Sequence, residues 1–158
     1  MEIREIKNDD MKKTIELIWR VFLEYEAPDY TEEGIKEFKK SIDDEKWIKQ
    51  RRFYGAFEED KILGMIPTKD YNHIALFFVD GNYHRQGIGK KLFKKVCELN
   101  KCGFFTVNSS PYAKEVYEHL GFEYVDTEQS VNGLKILSNE KKQYLNKEDY
   151  IITLKYKL

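Results

Sequence analysis

A chain of 158 residues with 41% hydrophobic and 15% aromatic residues carries enough apolar material for one domain with a real core, and its composition is not that of a disordered segment. Its formal charge of −1 argues against a nucleic-acid partner held by bulk electrostatics. No apolar run approaches a membrane span and the opening MEIREIKNDD lacks a signal-peptide core, so a cytoplasmic protein with no membrane partner is expected. The two cysteines, Cys97 and Cys102, lack CxxC spacing and read as reduced thiols, with no metal expected.

In chain order, residues 3–6 read as a short strand. Asn8 or Asp9 then caps a helix with Met11, Ile15, Ile18, Phe22 and Tyr25 on its apolar face, broken by Pro28. A second helix follows Thr31, with Ile35, Phe38 and Ile42 in step. Residues 53–57 and 62–66 are strands whose short connection, Glu58-Glu59-Asp60-Lys61, makes them an antiparallel hairpin. Residues 74–79 are apolar without alternation, the pattern of a strand buried on both faces. A turn containing Gly81 and Asn82 follows, then the pair Gly87-Ile88-Gly89. After it, Ile88, Leu92, Phe93, Val96 and Leu99 recur at helical spacing.

Residues 104–107 form the next strand. A helix follows with Ser110 as N-cap, Pro111 in its first turn, Ala113, Val116, Tyr117 and Leu120 as its stripe, and Gly121 as its stop. Beyond it, Asn132-Gly133 between two apolar stretches signals a hairpin, and residues 150–156 read as a closing strand. No repeat or linker divides the chain, so residues 1–158 are expected to form a single α/β domain. Hairpins combined with a strand–helix–strand unit predict a mixed sheet.

The strand, glycine turn and helix around Gly87 have the physics of an anion site. Glycines let the backbone approach a ligand, and the first amides of the helix present unpaired N–H groups at its positive end. The spacing fits neither the dinucleotide fingerprint, which needs a third glycine, nor a Walker A loop. The segment His84-Arg85-Gln86-Gly87-Ile88-Gly89 resembles the pyrophosphate turn of the GCN5-related N-acetyltransferases, with His84 where that family usually has Arg or Gln. A second stretch, residues 104–122 ending in Tyr117-Glu118-His119-Leu120-Gly121-Phe122, resembles the family's later signature of a strand ending near Asn and a helix ending Tyr-x-x-Leu-Gly-Phe. The resemblance runs from about residue 3 to about residue 125.

It implies a mixed, mostly antiparallel sheet with splayed central strands and about four helices, binding acetyl-CoA (coenzyme A) as co-substrate. The pantetheine arm is expected to hydrogen-bond backbone near Phe78 and Val79, with Asn108 close by. The pyrophosphate is expected on Arg85, Gln86, Gly87, Ile88, Gly89 and Lys90, beside a basic face of Lys90, Lys91, Lys94, Lys95 and Lys101. Tyr117 matches the family's tyrosine that protonates the departing sulfur; read without the resemblance, its ring simply packs in the helix stripe. For the base that deprotonates an attacking amine, His73 is one candidate and Glu24 and Glu26 are others.

Residues 24–33 hold five acids, no Lys or Arg, and Tyr25 and Tyr30. Glu24, Glu26 and Tyr30 are therefore expected to receive a small cationic amine or a lysine-like or N-terminal amine, although acids there also serve helix ends and solubility. The expected protein is an N-acetyltransferase, monomeric or homodimeric; the alternative is an acyl-CoA-binding module without turnover.

Overall fold

The structure, a computed structural model, describes residues 1–109, 114–125 and 152–157. Strand β1 (Glu2–Glu5) leads into helix α1 (Asn8–Val21). Neither Asn8 nor Asp9 caps it as the sequence suggested: the cap position is Lys7, which makes no side-chain cap bond. Asp9 and Asp10 instead supply negative charge in the first turn, and Asp10 is held by Arg4 at 3.0 Å. The helix also departs from expectation before Pro28. From Phe22 to Glu26 it widens into a π-helical turn, closed by the Ala27 N–H on the Phe22 carbonyl, and Pro28 sits in the 3₁₀ turn Ala27–Asp29 that follows.

Thr31 caps helix α2 (Glu32–Asp43), its hydroxyl accepting from Gly34 N at 3.1 Å, as the sequence indicated. A short helix α3 (Glu45–Lys49), capped by Asp44, was not anticipated. Strands β2 (Arg52–Glu58) and β3 (Lys61–Lys69) form the predicted antiparallel hairpin. Strand β6 (Phe104–Ser109) and helix α5 (Lys114–His119) follow α4 (Ile88–Leu99), and β7 (Glu123–Val125) is an additional strand. The closing strand is β8 (Ile152–Lys157). The expected hairpin at Asn132-Gly133, and Ser110, Pro111 and Ala113, lie outside the described residues.

The apolar run 74–79 is not the continuous doubly buried strand its composition suggests. It divides into β4 (His73–Ile74) and β5 (Phe78–Val79), with Ala75, Leu76 and Phe77 half-buried between them. The cause lies across the ladder. Thr68 faces Ile74 and Met65 faces Phe78, so three residues oppose only Ile66 and Pro67. Pro67 accepts from Ala75 N at 3.0 Å but has no N–H to return on that side, and the pairing slips into a bulge.

The sheet runs β1-β2-β3-β4-β6-β8-β7, with β5 paired to β3 alone among the described residues. Every pairing is antiparallel except β4 with β6, so the predicted mixed sheet is present. Alternation along the strands feeds two cores. Phe53, Phe57, Ile62, Met65 and Phe78 join Ile18, Phe22 and Ile42 on the α1–α2 side. Tyr54, Ala56, Leu63, Ile66 and Phe105 join Leu92, Phe93, Val96, Tyr117 and Phe122 on the α4–α5 side. Val116, placed on the buried stripe by its spacing, is in fact 50% exposed.

Gly64 shows how tightly β5 is held. A Cβ there would meet the Phe78 carbonyl oxygen at 2.9 Å and the Val79 Cα at 3.2 Å, which are backbone atoms that cannot swing aside. Gly64→Ala is therefore expected to push β5 off β3 and cost about 1–3 kcal/mol in chemical denaturation; an unchanged unfolding midpoint would contradict this packing.

Candidate functional site

Because β5 stays with β3 after the bulge while β6 pairs with β4 and β8, β5 and β6 do not pair with each other, and a cleft of about 550 Å³ opens beside β5. Its walls come from four elements: Tyr25 and Glu26 of the π turn, Phe77 to Val79, the loop and first residues of α4, and Tyr117 of α5.

The loop is built as an anion cradle. Gly87, at the α4 N-cap, has φ 77°, a left-handed backbone that glycine adopts without strain, and a Cβ there would point into open space. Arg85, two residues earlier, also has a left-handed backbone at φ 62° and bears that strain without glycine's freedom. The helix ladder begins with Lys91 N on Gly87 O at 3.2 Å, so the amides of Ile88, Gly89 and Lys90 precede the first intrahelical donor. Such amides and the helix dipole are the partners a pyrophosphate needs.

The approach to that turn is fixed by Asp80, only 2% exposed. Its carboxylate accepts from Asn82 N at 3.0 Å and from Arg20 at 2.9 Å, and its own N–H donates to Leu63 O at 2.8 Å. Burial alone would raise its pKa, but the Asn82 amide and the Arg20 guanidinium outweigh it and hold the carboxyl below its ordinary range.

On the opposite wall, Tyr117 is 4% exposed. Its ring lies 6.0 Å from Phe77 and 5.4 Å from Phe122, and Phe122 N returns to the Tyr117 carbonyl at 3.0 Å. Burial pushes its hydroxyl well above the ordinary tyrosine range, and the charge of Glu26 pushes the same way. Tyr30 is raised likewise, by burial and then by Glu26 and Asp29. Glu26 is thus a buried carboxylate whose charge is felt by both tyrosines, and among the described residues it is the one buried carboxylate lining the cleft.

Of the residues singled out from sequence, Phe78, Val79, Arg85, Gly87, Ile88, Gly89, Glu26 and Tyr117 come together around this one cleft. Gln86, in the same loop, and Lys90, in the first turn of α4, are exposed and outside the cleft's lining. His73 is not brought to the cleft: its Nδ1 lies 2.7 Å from Thr106 Oγ1, between β3 and β6. Glu24 is exposed and outside the lining, and Tyr30 packs edge-on against Phe22 at 5.1 Å. Asn108 lies in β6 opposite Thr153 of β8. Sequence reading missed Phe77, Asp80 and Arg20. Phe77 lies in an apolar run that reads as core, and an Asp before a Gly-Asn turn gives no sign that an Arg 60 positions away will reach it.

Comparison with known proteins places this geometry. The model of the acetyltransferase (GNAT) domain matches residues 26–142. No curated protein matches the chain significantly by sequence. A GCN5-related N-acetyltransferase from Rhodopseudomonas palustris superposes with a TM-score of 0.76 at 20% identity, covering 99% of this chain and 95% of that one. An N-acetyltransferase from Thermoplasma acidophilum, solved with coenzyme A, gives 0.70 at 18% identity over 99% and 98%. A GNAT acetyltransferase from Staphylococcus aureus gives 0.71 at 20% identity over 99% and 98%.

The Asp80 anchor makes a pH prediction. A carboxyl with a depressed folded-state pKa stabilises the fold above its ordinary value of about 4, and that stability drains away as pH falls through the folded value. Asp80→Asn is expected to flatten this acid limb in melting temperatures measured from pH 7 down to about pH 3; an acid limb as steep as that of the unaltered chain would disprove the assignment.

Proposed function

We infer the reaction from one premise: the chain belongs to the GNAT family of acetyltransferases. As a member it transfers an acyl group from acetyl-CoA, which supplies the acetyl thioester. We propose that the acceptor is a primary amine that arrives as a cation, and that Glu26 and Tyr117 carry out its acetylation. The observation behind this reading is the presence in one cleft of a buried carboxylate and a buried phenol together with the glycine turn.

The turn suits the coenzyme: left-handed backbone at Arg85 and Gly87, three leading amides of α4, and open space at Gly87 favour a pyrophosphate there. The diverging edge of β5 offers backbone to a pantetheine arm in the manner of an added strand. In the acceptor half, Glu26 attracts an ammonium group, and the exposed acids of residues 24–33 raise the local concentration of cations outside it. Glu26 then takes the ammonium proton on a carboxylate oxygen. As the amine's C–N bond forms and the C–S bond breaks, the nitrogen loses its second proton to solvent and Tyr117 gives its hydroxyl proton to the sulfur. The two roles reinforce each other. Burial first and the charge of Glu26 second hold the proton on Tyr117, and protonation of Glu26 removes the second of these. Solvent then carries the proton from Glu26 back to Tyr117. Glu26 is preferred to His73 as base because it lines the cleft and His73 does not.

The test is thiol release from acetyl-CoA over a panel of cationic amines, neutral amines and alcohols, with products identified by mass. Acetylation of cationic primary amines is expected; turnover confined to alcohols or neutral amines would overturn the reading. Tyr117→Phe is expected to lower kcat by about 10²-fold at unchanged coenzyme affinity, the range typical of a lost general acid. Glu26→Gln is expected to cost at least about 10-fold in kcat/KM for the cationic amine, and full activity in either variant would remove that residue from the mechanism.

A further inference from the structure

His84 opens the glycine-turn segment, and binding phosphate on backbone amides gives its imidazole no task. The structure gives it one. The β3–β5 register sets Met65 opposite Phe78 and Gly64 opposite Val79, and Asp80 N bonds Leu63 O. Backbone groups alternate in direction along a strand, so Phe78 and Asp80 face β3 while Val79 faces away from it. The Val79 carbonyl is met there by His84 Nε2 at 2.8 Å. A carbonyl only accepts, so the imidazole donates from Nε2. The Tyr25 ring backs the imidazole, centroids 5.3 Å apart and planes tilted by 36°.

The stretch between the two partners is equally fixed. Tyr83 N returns to Asp80 O at 2.9 Å, and Asp80 is pinned by Asn82 and Arg20. Residues 79–84 therefore close into a ring with the end of β5 on one side and the start of the glycine turn on the other. We propose that His84 is a positioning residue: by latching the Val79 carbonyl to the start of the turn, it fixes the spacing between the strand edge that takes the pantetheine arm and the α4 amides that take the pyrophosphate.

This rests on the coenzyme reading above. A coenzyme of fixed length must satisfy both ends of its site together, so a loose turn is felt in donors that carry phosphate and not in those that lack it. The latch also takes up the Val79 carbonyl, leaving the N–H of that residue as its polar group for the arm. Tyr25, which steadies the imidazole, stands next to Glu26 in the chain, so the spacing is set from the same turn that carries the acceptor-side carboxylate.

The experiment compares kcat/KM for acetyl-CoA with that for S-acetylpantetheine, which has no phosphates, in the unaltered protein, His84→Ala and His84→Gln. The preference for acetyl-CoA is expected to fall about 10-fold in His84→Ala and to return in His84→Gln, whose amide reaches as far as Nε2. An unchanged ratio in His84→Ala, or no recovery in His84→Gln, overturns the latch. Long-range ¹H–¹⁵N spectra of the unaltered protein give an independent reading: the neutral ring should carry its proton on Nε2, and a proton on Nδ1 overturns the proposal. Calorimetric titration of the unaltered protein with coenzyme A separates the two levels. Absence of binding defeats the coenzyme reading and the latch with it, whereas binding with an unchanged donor ratio defeats the latch alone.

Discussion

Pro67 presents a carbonyl but no N–H to the strand beside it, and the geometry of the site follows from that missing donor. Three residues then oppose two, the apolar run that would have been one strand becomes two, and its second half stays with β3 while β6 turns with β4 and β8. The cleft is the space this divergence leaves. Phe77, released from the ladder, becomes a wall of that cleft against Tyr117 rather than a core residue.

A second irregularity brings a carboxylate to the cleft. A regular α1 continued to Pro28 would present residues 22–26 at the same angular step as its first three turns. The π turn, with more residues per turn, shortens that step, and Glu26 is buried in the cleft while Glu24, two residues earlier, is left in solvent. Burying a carboxylate is costly unless it has work or partners. Here its charge adds to burial in raising Tyr30 and Tyr117, and Tyr117 lines the same cleft as the glycine turn.

The glycine turn is braced by side chains around it. Arg20 on α1 holds Asp80, Asp80 holds Asn82, and His84 holds Val79, so the turn is braced against both the helix beneath it and the strand before it. Bracing of this kind orders a loop before any ligand arrives and so lowers the ordering cost of binding there.

Local chemistry was enough to read the two segments that carry the family likeness from the chain itself. A left-handed N-cap before a helix calls for glycine, and a helix that stops before an aromatic anchor calls for the Tyr117-to-Phe122 pattern; both requirements span only a few residues. Thr31 as a cap and the β2–β3 hairpin were legible for the same reason. What the sequence could not decide was anything set by a partner far along the chain. The break at residues 75–77 depends on Pro67 across the ladder, the identity of the carboxylate in the cleft depends on a π turn that apolar spacing does not announce, and the placement of His73 and Asp80 depends on Thr106 and Arg20. Residue patterns fix local backbone preference, whereas the direction a side chain takes at a site is settled by packing between elements, and only the folded chain brings those elements together.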